Sequence, residues 1–139
     1  MLNNDSIAYM SIKAIHMNKI IDKIKNYEFR NYIPKNRINK IFVYVPTPVK
    51  ILKYIMDVNE PIKYPKKIDE NGIGNKEFNL GNKTKYAYPI EHVYELKEPL
   101  TLEELKRNYS FTAPQSFAYG TKYNDLTVRI NSIKTNKIF

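Results

Sequence analysis

The run Lys40-Ile41-Phe42-Val43-Tyr44-Val45 constrains this chain more than any other segment. It is almost entirely β-branched and aromatic, the chemistry that packs best on a pleated surface. Its apolar residues do not alternate with polar ones, so a strand here must be covered on both faces. Pro46-Thr47-Pro48 ends it, because proline cannot donate to a strand ladder. Such a strand needs neighbours on each side and a packed layer above and below. With 139 residues the chain has room for one domain with its own core.

The remaining sequence supplies those neighbours. Tyr9–Lys13 reads as a short strand. Met17, Ile20, Ile21 and Ile24 recur at helical spacing and predict an amphipathic helix over about 14–25. At Tyr27 the period changes to two, so Tyr27 and Phe29 share one strand face and Glu28 and Arg30 the other. Pro34 and Asn36 mark a turn. Val49–Val58 reads as a further strand. Residues 59–83 hold Pro61, Pro65 and three of the four glycines, and read as a long loop with a short helix near 75–80. Loops of that length in a compact domain are often lids or binding loops.

Thr84–Leu96 returns to strand chemistry, with Pro89 suited to an edge or bulge. Thr101-Leu102-Glu103-Glu104 is a capping box that predicts a helix over about 102–108. Ser116–Tyr119 and Leu126–Ile130 are expected as the last strands. Residues 1–8 are expected as a loosely ordered polar leader, with Met10 as an alternative start, and residues 9–139 as the single domain. Short strands mixed with short helices give an α+β or small-barrel architecture.

Composition narrows the chemistry. There is no cysteine, which excludes disulfides, thiolate metal sites and cysteine nucleophiles. The two histidines, His16 and His92, cannot build a histidine-rich zinc site, and neither a metal site nor a cofactor is expected. His16 lies off the isoleucine stripe and reads as a surface residue, and His92 as a structural one. Gly72-Ile73-Gly74 lacks the lysine and the strand-to-helix context of a phosphate loop. No apolar run approaches the ~20 residues of a membrane span, and the N-terminus carries no signal-peptide pattern. A cytoplasmic protein with no membrane partner is expected.

The net charge is +9, from 23 basic and 14 acidic residues. Nineteen of the basic residues are Lys, a bias that AT-rich coding produces without function. The distribution carries more information. Residues 10–53 hold ten basic and two acidic residues, whereas the rest of the chain holds 13 and 12. Drift would add lysine everywhere, so the clustering predicts a positive face able to attract a polyanion.

Within that stretch, Lys25, Glu28 and Arg30 fall at one helix-to-strand junction. A lysine, a carboxylate and a guanidinium together can bind phosphate. They can also do acid–base work if burial moves the lysine pKa towards neutrality. If exposed, the same residues make only a surface ion pair worth roughly 0–1 kcal/mol. Twelve tyrosines and six phenylalanines interleave with the lysines, as in proteins that stack single-stranded bases. Tyr27, Phe29, Phe42 and Tyr44 read as core or sheet residues. Tyr86, Tyr88 and Tyr119 read as candidate cleft walls, and Gln115 and Ser116 as polar groups turned into the cleft.

Ser11-Ile12-Lys13, a helix, and then Lys25-x-x-Glu28-x-Arg30 resemble the ASCH domain of the PUA-like superfamily. Ile41–Val45 followed by Pro48-Val49-Lys50 sits where that family places its next strand and turn. Ala113-Pro114-Gln115-Ser116-Phe117-Ala118-Tyr119 resembles a P-Q-S-F-x-Y ending of one subgroup. The resemblance spans about residues 10–120. Two positions depart from the pattern. Ala14 replaces a proline. Lys23 replaces the glycine that turns the chain out of the helix, and a lysine there favours a continued helix.

The resemblance implies a small PUA-like mixed β-barrel with two or three short helices flanking a cleft. It implies RNA or nucleotide-like ligands, held by Lys13, Lys25, Glu28, Arg30, Gln115, Ser116 and Tyr119. Some relatives resemble acetylcytidine amidohydrolases and others are described as ribonucleases, which implies as an alternative a hydrolase with Lys25 and Glu28 as its acid–base pair. In the amidohydrolase group the lysine matched by Lys25 is catalytic, but the Glu28 position is a threonine. A further glutamate there lies near a later helix, where Glu103 or Glu104 would stand. A protein-interaction domain from a mobile element is the third reading. The oligomeric state is left open.

Overall fold

The computed structural model describes residues 4–139. It has an α+β architecture built on one mixed sheet. The strands are β1 (Ile7–Ser11), β2 (Tyr27–Arg30), β3 (Lys40–Val45), β4 (Ile51–Val58), β5 (Ile62–Lys63), β6 (Tyr86–Thr101), β7 (Ala118–Tyr119) and β8 (Thr135–Lys137). The helices are α1 (Ala14–Ile21), α2 (Asn75–Asn79), α3 (Leu102–Tyr109) and α4 (Asn124–Ser132). Along the sheet the order is β2-β6-β4-β3-β1-β7, with β5 and β8 also paired to β6. Among the described residues only β1 and β3 run parallel; the other pairs are antiparallel.

The segment 40–45 lies where its composition requires. β3 sits inside the sheet between β4 and β1, and Ile41 to Val45 are buried. Its side chains divide between two cores. Phe42 and Tyr44 join Tyr9, Leu52, Leu105, Phe111, Leu126 and Ile130 on the face covered by α3 and α4. Ile41, Val43 and Val45 join Met10, Met17, Ile20, Met56 and Val93 on the face covered by α1. A third cluster, Phe29, Ile68, Phe78 and Ala87, forms where the segment after β5 folds back on β2 and β6.

β6 is the longest strand at 16 residues and shapes the sheet. Its first part pairs with β2 and β5, and its later part with β4 and β8. The chain therefore bends from one sheet segment into the next and curls the whole into a half-barrel. The curl stops short of closure. Among the described residues β2 pairs only with β6 and β7 only with β1, so these are the two ends of the sheet.

Several sequence expectations are corrected. The leader expected over 1–8 ends earlier. Asn4–Ser6 form a 3-10 turn, and Ile7 and Ala8 are buried in β1, because the parallel register with β3 needs their apolar side chains. Residues 1–3 and the question of a start at Met1 lie outside the described residues.

Helix α1 ends at Ile21, which leaves Ile24 half-exposed instead of continuing the stripe. Lys23 does not extend the helix: it adopts a left-handed φ of 62°. Its N–H donates to Ile20 O and the N–H of Ile24 to Lys19 O, both at 3.0 Å. This is the Schellman closure that glycine usually makes, accomplished here by lysine.

Residues 126–130 are helical, not a strand. Leu126, Thr127 and Ile130 are buried while Val128 is 65% exposed, a helical and not a two-residue pattern. The Thr127 hydroxyl donates to Gly120 O (2.8 Å) and lies 2.7 Å from the Tyr9 hydroxyl, tying α4 to β1. The expected capping box at α3 forms its first bond: Thr101 Oγ1 accepts from Glu104 N at 3.2 Å. Among the described residues there are four α-helices against the two or three expected.

Candidate functional site

The open seam of the half-barrel holds the candidate site. A cleft of about 550 Å³ runs between the C-terminal end of β1, the start of α1, β2, residues 83–84 and residues 115–116. Ser11, Lys13, Lys25, Glu28, Arg30, Gln115 and Ser116 all line it.

Arg30 organises the seam. Its Nε donates to Glu28 Oε2 at 2.9 Å. Its Nη1 donates to Ser116 O and its Nη2 to Ser11 O, both at 3.1 Å. A side chain on β2, one end of the sheet, therefore reaches across to β1 and to the segment entering β7, the other end. Ser11 reinforces the join, because its Oγ donates to Pro114 O at 2.8 Å. The motif residues Ser11, Glu28, Arg30 and Ser116 thus form one connected polar network. The Arg30 donors face Glu28 and two carbonyls and do not point freely into the cleft.

Lys25 lies deeper. It is 7% exposed, with Nζ 3.9 Å from Glu28 Oε1 and 5.2 Å from the centre of the Phe29 ring. Burial pulls its pKa below the ordinary lysine value; Glu28 opposes this, while Lys83, Arg30 and Lys19 reinforce it. Desolvation therefore outweighs the single carboxylate, and Lys25 holds its proton less tightly than an ordinary lysine does.

The chain leading to Lys25 is clamped. Lys25 N donates to Lys19 O (3.0 Å) within the α1 closure, and Ile73 N donates to Ile24 O (3.0 Å). Asn75, fully buried at the start of α2, donates from Nδ2 to Asn26 Oδ1 and to the carbonyls of Asp69 and Asn71. Gly72, at φ 136°, passes so close to Asn26 that a Cβ would lie 2.5 Å from its Oδ1. The loop expected over 59–83 thus contributes as a packed buttress behind Lys25.

Other residues of the cleft gave no local sequence signal. Lys83 lines it, with Nζ 5.3 Å from the centre of the Phe29 ring. Asn31, Tyr32 and Thr84 also line it, and Tyr32 is 74% exposed. His16, read as a plain surface residue, is exposed yet lies on the cleft rim, where burial and then the charge of Lys25 lower its pKa.

Three of the expected wall residues stand elsewhere. Tyr119 accepts from Asn36 N at 3.1 Å and packs edge-on to Phe117, outside the cleft lining. Tyr86 and Tyr88 line a neighbouring hollow, and burial pushes the Tyr88 hydroxyl up to about 12. Glu103 does not line the cleft: it pairs with Arg107 at 2.8 Å on α3. His92 Nδ1 is buried without a hydrogen-bond partner among the described residues. Those residues also contain no cluster of three His, Asp or Glu able to hold a metal ion, and no helix long and apolar enough to cross a membrane.

Comparison with known proteins gives a fold. No family model matches the sequence, and no curated protein matches it. Solved structures do. The ASCH protein of Zymomonas mobilis superposes with a TM-score of 0.68 at 18% identity, covering 94% of this chain and 97% of that one. A serine-to-alanine mutant of it gives 0.66 at 17% identity, covering 96% and 100%. A tyrosine-to-phenylalanine mutant gives 0.68 at 17%, covering 93% and 99%. The chain therefore shares the fold of this ASCH protein over nearly its whole length, which agrees with the α+β fold expected from the resemblance carried by Ser11-Ile12-Lys13 and Lys25-x-x-Glu28-x-Arg30.

Proposed function

We propose that the protein is an RNA- or nucleotide-binding module that holds its ligand in the seam cleft. One observation carries this reading. The cleft holds Lys13, Lys25 and Lys83, and its one carboxylate, Glu28, is already engaged by Arg30. The cation excess therefore remains available to an anionic ligand. Lys13 and Lys83 suit phosphate oxygens, and Asn31, Thr84 and Gln115 suit base edges. Exposed Tyr32 offers a ring at the cleft mouth on which a base can stack. Arg30 acts by orienting Glu28 and by fixing the cleft width.

The test is a salt titration of binding to a fluorescent single-stranded RNA decamer. Affinity should fall linearly on a log–log plot, with a slope near −0.7 for each phosphate neutralised. Lys13→Ala and Lys83→Ala should each flatten that slope by about one phosphate. Absence of binding at low ionic strength overturns the reading.

A hydrolase acting on RNA or an acylated nucleoside is favoured by one separate observation, the buried Lys25 beside Glu28. Burial lowers the Lys25 pKa and so moves it in the direction general-base work needs, with Glu28 at 3.9 Å to receive or return a proton. Incubation with labelled RNA and with an acylated-nucleoside panel tests it. Turnover should vanish in Lys25→Ala, and equal turnover in that variant excludes the mechanism.

A further inference from the structure

The cleft has a neighbour. A hollow of about 240 Å³ lies beside it, walled by Pro34, Lys35, Arg37, Tyr86 and Tyr88. The strand register sets the two linings side by side. In the antiparallel β2–β6 pair, Glu28 stands opposite Tyr88 and Arg30 opposite Tyr86. Directly opposed residues project from the same face, so the cleft pair and the hollow pair share one surface. Arg30 lies at the boundary, near enough for its charge to act on the Tyr88 hydroxyl. The segment from Asn31 to Arg37 spans the same gap along the chain and carries exposed Tyr32 between the two.

The hollow is also cationic and uncommitted. Lys35 and Arg37 line it, and Lys63 pairs in register with Tyr86, its ammonium 6.0 Å from the ring centre. Among the described residues the ion pairs engage Lys25, Arg30, Lys40, Arg107 and Arg129, but none of these three. Glu60 is the single acid in the lining, and Arg37 makes only a 3.4 Å bond to the Asn59 amide oxygen. A structural role would pair these charges or scatter them. Here they gather around an aromatic wall one step along the sheet from the cleft.

We propose that this hollow is a second nucleotide subsite, so that the ligand is a single strand of several nucleotides and not a free nucleotide. The inference rests on the cleft being the nucleotide site proposed above. The cleft takes one nucleotide, Tyr32 stacks on a base at the crossing, and Lys35 and Arg37 take the phosphate beyond it, with Tyr86 as the wall.

The experiment measures affinity of the full chain for uridine monophosphate and for oligouridylates of two, three and four nucleotides, with the deoxy series alongside. Wild type should gain at least tenfold from the monophosphate to the trinucleotide. Lys35→Ala/Arg37→Ala should bind the monophosphate as wild type does and lose most of that gain. Tyr32→Ala should lose affinity for the oligomers roughly five- to a hundredfold, the range of one stacked base. Monophosphate binding with a flat length dependence, or a length gain retained in the double variant, overturns the subsite alone. No binding of any length by wild type overturns the proposed function and the subsite together. Thermal melts of each variant at the wild-type midpoint confirm that the losses are local.

Discussion

Replacing Arg30 by methionine should destabilise the protein more than removal of any surface charge. The guanidinium donates three bonds: one to Glu28 and two to the carbonyls of Ser11 and Ser116. Both ion-pair partners are sheltered, with side chains 15% and 8% exposed. Methionine fills much of the volume but leaves Glu28 with only Lys25 at 3.9 Å, and leaves two carbonyls without this donor. Removing one partner of a buried pair costs about 3–5 kcal/mol. A chain of this length unfolds with an entropy near 0.3 kcal/mol/K, so the melting point should fall by about 10–17 °C.

Calorimetry or urea unfolding reads this directly. Two further variants separate the contributions. Arg30→Lys keeps a charge for Glu28 but cannot span both carbonyls, so it should fall between wild type and methionine. Glu28→Gln combined with Arg30→Met removes the stranded carboxylate and should be more stable than Arg30→Met alone. A fall of under about 3 °C for Arg30→Met would refute the reasoning, because that is the behaviour of a solvated surface pair.

Three other outcomes are expected. Lys23→Gly should raise the melting point by about 2–4 °C over Lys23→Ala, since left-handed backbone costs a side-chain-bearing residue about 1–2 kcal/mol, partly offset by glycine's freer unfolded state; both variants lose the Lys23 contact with the Phe139 ring equally. Because the folded pKa of Lys25 lies below 10.5, the unfolded chain binds more protons between the lowered value and 10.5. Wild-type stability should therefore rise with pH through that window relative to Lys25→Met, as read from urea unfolding at a series of pH values. Thr101→Ala should cost about 1 kcal/mol through loss of the α3 cap, with Thr101→Ser near wild type in urea midpoint.

The sequence was most legible where a residue's chemistry is local. The apolar run 40–45 declared its burial, Thr101 its cap, and the change of period at Tyr27 the start of β2. The motif residues Ser11, Lys25, Glu28, Arg30 and Ser116 converge on one cleft because they bracket the helix and edge strands that form it. What was missed depended on pairing or on tertiary packing. Lys83 and Tyr32 reach the cleft only because β6 lies beside β2 and residues 31 and 85 are joined by the Asn31 side chain. Residues 126–130 carry β-branched side chains that favour strand, yet the Tyr9–Thr127–Gly120 bonds and a helical burial pattern decide for helix. Lys23 shows the same override at one residue: helix closure imposes a backbone that lysine disfavours.

Sheets that curl without closing keep two unpaired edges, and an unpaired edge is a template for joining a second molecule. In this protein β2 is only four residues long and β7 only two, so neither offers much ladder to a stranger. A charge at the end of β2 is directed inward to the opposite edge instead of along the strand. An inward-pointing charge is one of the devices that keep sheet edges from pairing with a second molecule, so sequences that lose Arg30 should be harder to keep in solution as well as easier to melt.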